Sequence, residues 1–480
     1  MSKKIPTLLV IFVVFGCALQ IFTQTGRPSI EITVKDARTI LVTIHSSTYG
    51  QSVTFAEDYA GVTGLSRRIS NLTITGPEGN PMIYRSLSPG VYLTNRSIRD
   101  VRYEVDITPP ANAADRAHVS WMAEDNGMLM LGDLLPQNSD RVASVRLILL
   151  PGWSAASPDL NPDGITMEIP NAAKSVIFLT KNLRRSNHAD VAIATSEEWQ
   201  FSDQEAREVT SEIVANYTKI FGPLKSRKVH IVFVKIRDVP PGTWRAETRG
   251  QNILIASADM PFKSQAVQRL HEQLRHEIFH LWIPNGLNLT GNYDWFYEGF
   301  ALYQSLRLGV ESNRIRFEDF LDTLSRATFI SNETHRPVSL IEASNQRWAG
   351  NATPVYTRGM VVAFLCDLAM LDASKGKRGI TEMLGDLYRE NAGSVVSSDA
   401  KTVVLAKLRS YPELVPVIER YITGTDTFAL IDFLGHAGLR LEVMRPYSRL
   451  VVGKELSGRQ KVVLDRLGYN SWRKLSQQKK

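Results

Sequence analysis

Short runs of alternating apolar and polar residues dominate the first part of the chain. Residues 30–34 and 101–107 alternate in this way, which marks a strand with one buried face, and 40–44 and 145–150 are mostly apolar β-type runs. Turn signals at Pro77-Glu78-Gly79, Pro109-Pro110 and Pro151-Gly152 separate them. The segment up to about residue 176 therefore predicts a β-sandwich or curved open sheet. From about residue 203 the period changes. Residues 203–221 have helical spacing, 229–236 read as a buried strand, and 252–256 as another short strand. Helical patterns follow at 263–283, 294–308, 318–328, 355–371, 380–390 and 402–408, with a further turn or two at 416–422. The expected fold class is α+β, with a β-rich, sandwich-like domain over 26–195 followed by a mostly helical domain over 196–435. The tail, 436–480, holds two short strand patterns and a basic end, and is small for an independent domain.

Ahead of these elements, residues 5–22 are almost continuously apolar and follow Lys3 and Lys4. An eighteen-residue run, interrupted mainly by Thr7 and Gln20, is long for a signal-peptide core and just long enough for a span. Residues 1–25 therefore read as a signal peptide or a membrane anchor, with lipid attachment at Cys17 as a weaker third reading. All three readings export the rest of the chain, and a tether through residues 5–22 is one fate they allow. The expected location is periplasmic, secreted or membrane-anchored, with the folded part outside the cytoplasm.

Composition narrows the function classes. The chain has 480 residues, 43% hydrophobic and 22% charged, so whole-chain disorder is excluded. Its net charge of +7 is thin for this length, and the small basic groups at Arg67 and Arg68, at Lys181, Arg184 and Arg185, and at 225–228 carry no interleaved aromatics. No nucleic-acid partner is expected. Two cysteines, Cys17 and Cys366, exclude a disulfide scaffold.

The informative chemistry sits in Arg275-His276-Glu277-Ile278-Phe279-His280-Leu281-Trp282. His276 and His280 are four apart, so on a helix their side chains emerge one above the other. Both imidazoles can then reach one Zn²⁺ at ~2.0–2.1 Å. Glu277 sits about 100° around the helix, where it can touch water at the metal without ligating. Val267, Leu270, Leu274, Ile278 and Leu281 form the apolar stripe, and His276 points roughly 200° from Leu274, away from that stripe. Pro284 is expected to end the helix. The similar His271-Glu272-Gln273-Leu274-Arg275 ends in an arginine, which cannot ligate. A zinc site needs a third protein ligand and an open position. Glu298, in Asp294-Trp295-Phe296-Tyr297-Glu298-Gly299, lies 18 positions after His280. A second helix folding back would bring Glu298 to the metal, and Gly299 would allow close helix contact there.

These segments resemble the gluzincin metallopeptidases: His276-Glu277-x-x-His280-x-Trp282-x-x-Asn285, then Trp295-x-x-Glu298-Gly299-Phe300-Ala301. The pattern is similar to both the glycyl aminopeptidase family and, more distantly, the aminopeptidase N family. The resemblance spans roughly residues 200–439 and implies a thermolysin-like zinc peptidase domain. Both families carry a catalytic tyrosine in a Tyr-x-Lys/Arg-Gly motif, which Tyr356-Thr357-Arg358-Gly359 matches. That match implies an oxyanion role for Tyr356. Arg358, two positions on, is expected to form a salt bridge or to bind substrate carbonyls.

Two departures stand out. The aminopeptidase N family holds the substrate's free amine with a Gly-x-Met-Glu-Asn segment, whereas this chain reads Thr243-Trp244-Arg245-Ala246-Glu247-Thr248-Arg249-Gly250. Glu247 is either the amine anchor or a solvated turn carboxylate. The tail after residue 439 is about half the length of the PDZ domain usual in the glycyl aminopeptidase family, so no full PDZ domain is expected. The reading is an exported zinc metallopeptidase acting on peptides or proteins, an aminopeptidase first. A zinc endopeptidase and a membrane-tethered binding protein are the rivals. His45, His118, His188, His230, His335 and His436 have no ligand-spaced partner and read as ordinary structural or surface residues.

Overall fold

The computed structural model describes residues 28–137, 142–188, 190–224, 228–237, 239–334 and 336–470. Residues 1–27, with Cys17 and the apolar run 5–22, residues 225–227, His335 and positions 471–480 are among those outside these segments.

Alternation places the front half. In strand Ser29–Val34 the side chains of Ile30, Ile32 and Val34 are buried, while Ser29 faces solvent. The strand pairs parallel with Ala143–Ile148 and antiparallel with Thr39–Tyr49. The six-stranded sheet runs Thr166–Ile169, Ala143–Ile148, Ser29–Val34, Thr39–Tyr49, Ile98–Asp106, Ile69–Thr75. A four-stranded sheet, Trp121–Met122, Asn126–Met130, Val176–Thr180 and Ser154–Ala156, packs against it. Leu129, Ile177 and Leu179 of the small sheet share a core with Ile32, Val42 and Tyr103 of the large one. Met128, Met130 and Phe178, on the small sheet's other face, pack on Val232, Val234 and Leu254. The small sheet is thus buried on both faces and joins the front half to the later segment.

A five-stranded sheet comes next, in the order Arg184–Asn187, Val191–Thr195, Val229–Lys235, Asn252–Ser257, Trp244–Arg249. Its three inner strands are parallel and both edges antiparallel. The sheet is continuous across residue 195, because Val191–Thr195 pairs with Val229–Lys235. The first two strands therefore belong with the later segment rather than with the sandwich.

Helices cover the sheet. Helix Asp203–Phe221 starts in a capping box of Ser202 and Glu205 and stops at Gly222, whose φ is 89°. The His276 helix spans Lys263–Phe279, the Glu298 helix Asp294–Glu311 and the Tyr356 helix Ala352–Ala373. The last has mean hydropathy 1.4 over its most apolar window, long and apolar enough by composition to cross a membrane, yet 83% of that window is buried inside the protein. It is the core helix of the domain. Cys366 lies within it, and burial pushes its thiol pKa up. The Glu298 and Tyr356 helices cross where a Cβ on Gly299 would fall 2.4 Å from the Gly359 Cα. No side chain fits at that crossing, so both positions require glycine.

The tail packs on the same body. Leu439, Leu450, Val463, Leu464 and Leu467 join the helical core, and Arg307, ion-paired with buried Asp367, also donates to the Arg466 carbonyl.

Candidate metal centre

The His276 helix ends earlier than the expected 283. His280 is its C-cap and the chain continues in turns to Gly286. Pro284 explains the early end: it has no N–H for the His280 carbonyl and its ring crowds that carbonyl. The Asn285 N–H takes the His280 carbonyl instead, at 3.2 Å. The Asn285 side chain then reaches the edge strand, donating to the Thr248 carbonyl at 3.0 Å and accepting from the Gly250 N–H at 3.3 Å. The helix end and the sheet edge are thereby pinned together.

Three donor atoms converge at this junction. His276 Nε2 lies 3.1 Å from Glu298 Oε2 and 3.1 Å from His280 Nε2, and His280 Nε2 lies 3.5 Å from Glu298 Oε2. Ligands ~2.05 Å from a tetrahedral zinc stand about 3.3 Å apart, so the spacing fits the ion. Nitrogen facing nitrogen at this distance also suits two lone pairs aimed at a cation. His280 Nδ1 lies 3.0 Å from the Ile283 carbonyl; the bond puts the proton on Nδ1 and leaves Nε2 as the ligand atom. All three residues are buried. The Glu298 helix folds back against the His276 helix as expected, and the start of the Tyr356 helix adds to the cover over the histidines.

Glu277 is 3% exposed. Thr248, on the edge strand, brings its hydroxyl 2.7 Å from Glu277 Oε2. Burial raises the Glu277 pKa above the ordinary carboxylate value, against the pull of the two imidazoles. For Glu298 burial acts the same way, but Arg347 and both histidines outweigh it and hold the carboxyl well below the usual range.

Arg347 was not legible from any motif. It is 8% exposed, and its Nη1 pairs with Glu298 Oε1 at 3.0 Å and Asp294 Oδ2 at 2.9 Å. Its Nη2 donates to the Tyr356 hydroxyl oxygen, and its guanidinium also covers the Tyr356 ring, 4.9 Å from the centroid. The Tyr356 ring lies 6.5 Å from that of His276. Burial raises the Tyr356 pKa well above 10, so the phenol keeps its proton. With the guanidinium on its oxygen, that proton is free to point at a substrate. Asp294 sits one helical turn before Glu298, a spacing that could have flagged it.

Glu247 is not in a solvated turn. It lies on the antiparallel edge strand Trp244–Arg249, its side chain 14% exposed. Three groups hold its carboxylate: Arg249 Nε at 2.5 Å, the Tyr59 hydroxyl at 2.5 Å and His118 Nδ1 at 2.7 Å. Burial works against the charge, yet Arg249 and His118 bring its pKa down to about 2. His118, expected to be an ordinary histidine, thus joins the front half to the sheet edge. Arg358 forms no salt bridge among the described residues; its Nε donates to the Tyr421 carbonyl at 3.3 Å.

No protein-family model matches the chain, and no curated protein matches it. Solved structures do. An aminopeptidase N family protein from Idiomarina loihiensis superposes with a TM-score of 0.74 at 14% identity, covering 90% of this chain and 82% of that one. The M1 zinc metallopeptidase from Deinococcus radiodurans superposes at 0.54 with 15% identity, over 84% of this chain and 94% of that one. A mutant of the Deinococcus enzyme bound to a Tyr-Ser-Ala substrate gives 0.54 at 14% identity, over 83% and 94%. The class these likenesses define is one of architecture: a β-rich domain followed by a helical one, as in the two-domain M1 peptidase fold.

Proposed function

We propose that this chain is an exported zinc metallopeptidase that hydrolyses peptide bonds, with removal of N-terminal residues as its finer activity. One observation carries the reading: three buried ligand atoms at tetrahedral spacing with a non-ligating glutamate next to one of them in sequence. The likeness to M1 peptidases supports it through the fold. His276, His280 and Glu298 would hold the ion. When bound, zinc supplies Lewis acidity that polarises the scissile carbonyl and acidifies water. Glu277, oriented by Thr248, takes the proton of the attacking water and returns it to the leaving amine. Tyr356 donates its hydroxyl proton to the carbonyl oxygen as negative charge develops there. An endopeptidase is the second reading, favoured by the Glu247 carboxylate being fully engaged by Tyr59, His118 and Arg249.

The test is zinc content beside turnover. Glu277→Gln should retain the metal and lose turnover, while Glu298→Ala should lose the metal. Loss of zinc in Glu277→Gln as complete as in His276→Ala would overturn the assignment of roles. Free and N-acetylated peptide libraries separate the two activities. Periplasmic or extracellular recovery of the full chain tests export.

A further inference from the structure

The Tyr356 helix has a second functional face. Pro354 and Arg358 flank Tyr356 at two positions on either side, so they point roughly 200° from it. With Ser331, Thr334, Arg336 and Asn351 they line a small pocket that is partly open to solvent. It lies between the end of helix Phe317–Glu333, the strap after that helix and the start of the Tyr356 helix.

The pocket's chemistry is one-sided. Among the described residues two arginines line it and no carboxylate does. Arg358 is 4% exposed, and its buried Nη2 has no hydrogen-bond partner. Its other contacts, the Tyr421 carbonyl and the face of Phe428 at 5.1 Å, leave the positive charge without a counter-ion in contact. A buried guanidinium nitrogen left unmatched is destabilising, and an anionic ligand would supply the missing acceptor. Arg336 is exposed on the rim. Asn351 stands at the N-cap position of the 22-residue Tyr356 helix without a capping side-chain bond, and the N-terminal end of that helix adds about half a positive charge. The carbonyl end of helix Phe317–Glu333 opposes this with about half a negative charge. The two helix ends cancel; Asp426 acts on Arg358 from a distance, and the two arginines leave the balance positive.

We propose that this pocket is a binding site for a small carboxylate, separate from the metal centre and reached from the opposite side of the Tyr356 helix. A planar carboxylate matches the guanidinium fork, and charge-assisted pairing is the strong form of such a bond. The ligand is either a free organic acid or the C-terminal carboxylate of a short peptide. The proposal does not depend on the peptidase reading. A ligand here would bridge the strap that carries Arg347 to the helix that carries Tyr356.

Calorimetric titration of the purified full chain tests it, with acetate as the free acid and N-acetylglycylglycine as the peptide end. Wild type should bind acetate with Kd on the order of 1 mM. Arg336→Glu, on the exposed rim, should keep the fold and weaken binding at least about tenfold. Arg358→Met should abolish the same event, with thermal melting as the check on folding. Weaker binding of the peptide than of acetate assigns the site to free acids, and the reverse assigns it to peptide ends. No saturable event below ~50 mM with either probe, or unchanged binding in Arg336→Glu, would overturn the proposal.

Discussion

Arg347 and Glu298 meet at 3.0 Å through Oε1 while Oε2 of the same carboxylate faces both histidines. One carboxylate thus serves two cations, the guanidinium on one side and the metal position on the other. Arg347 also pairs with Asp294, so it separates two carboxylates that would otherwise repel.

Removing Arg347 should therefore weaken the metal site without touching a ligand. Arg347→Gln leaves Glu298 free to rotate and places it beside an unneutralised Asp294. Loss of such an outer partner typically costs 10–100-fold in metal affinity. Competition with a chromogenic chelator should show a loss of that size. Arg347→Lys should recover only part, since an ammonium cannot reproduce the planar fork. Affinity within twofold of wild type in Arg347→Gln would remove the link.

Tyr356→Phe deletes one oxygen and keeps the packing against Arg347. Loss of one oxyanion donor should lower kcat by about 10²–10³, or about 2.7–4 kcal/mol. KM and zinc content should hold, because the bond strengthens only in the transition state. A kcat within threefold of wild type would reduce Tyr356 to a packing residue.

The cluster of His276, His280 and Glu298 was legible because its signal is local: a four-residue spacing on one helix and a glycine beside Glu298. Gly299 was readable as a close contact, but its partner Gly359 needed the fold. Arg347 had no such signal, because its partners lie 53 and 9 residues away at Asp294 and Tyr356. The edge strand Trp244–Arg249 escaped for another reason. Its residues, Trp-Arg-Ala-Glu-Thr-Arg, lack the apolar alternation that marks a strand. Its stability comes from backbone pairing with Asn252–Ser257 and from polar partners in the front half.

His271, the helix's unused histidine, should govern acid stability. It is 2% exposed, both ring nitrogens lack partners among the described residues, and burial with Arg314 and Arg275 nearby lowers its pKa to about 3. The unfolded chain takes up this proton below the ordinary value of about 6.5, whereas the folded chain does so only near the lowered value. The stability from keeping His271 neutral is full above ~6.5 and is lost as pH falls toward the folded pKa, at about 1.4 kcal/mol per unit. His271→Leu should therefore melt with a smaller drop in Tm between pH 7 and pH 5 than wild type. Parallel drops in the two proteins would show that other groups set the acid limit.

Glu247 is the sequence's candidate amine anchor, and its surroundings argue against that role. An amine anchor needs a carboxylate with net negative charge and an open lone pair. Glu247 is instead balanced by Arg249 two residues on, and its oxygens accept from Tyr59 and His118 as well. An ammonium arriving there would have to displace a bound partner inside a neutral cluster. Glu247 should thus act as a pin between the front half and the sheet edge. Glu247→Gln would leave Arg249 buried and unpaired, and breaking a buried pair in this way costs roughly 3–5 kcal/mol. Tm should fall by several degrees. The ratio of kcat/KM for free-amine over N-acetylated peptides should change by less than about threefold, since both substrates lose the same support. A collapse of that ratio by tenfold or more, with Tm retained, would instead make Glu247 the amine anchor and the surrounding cluster its holder.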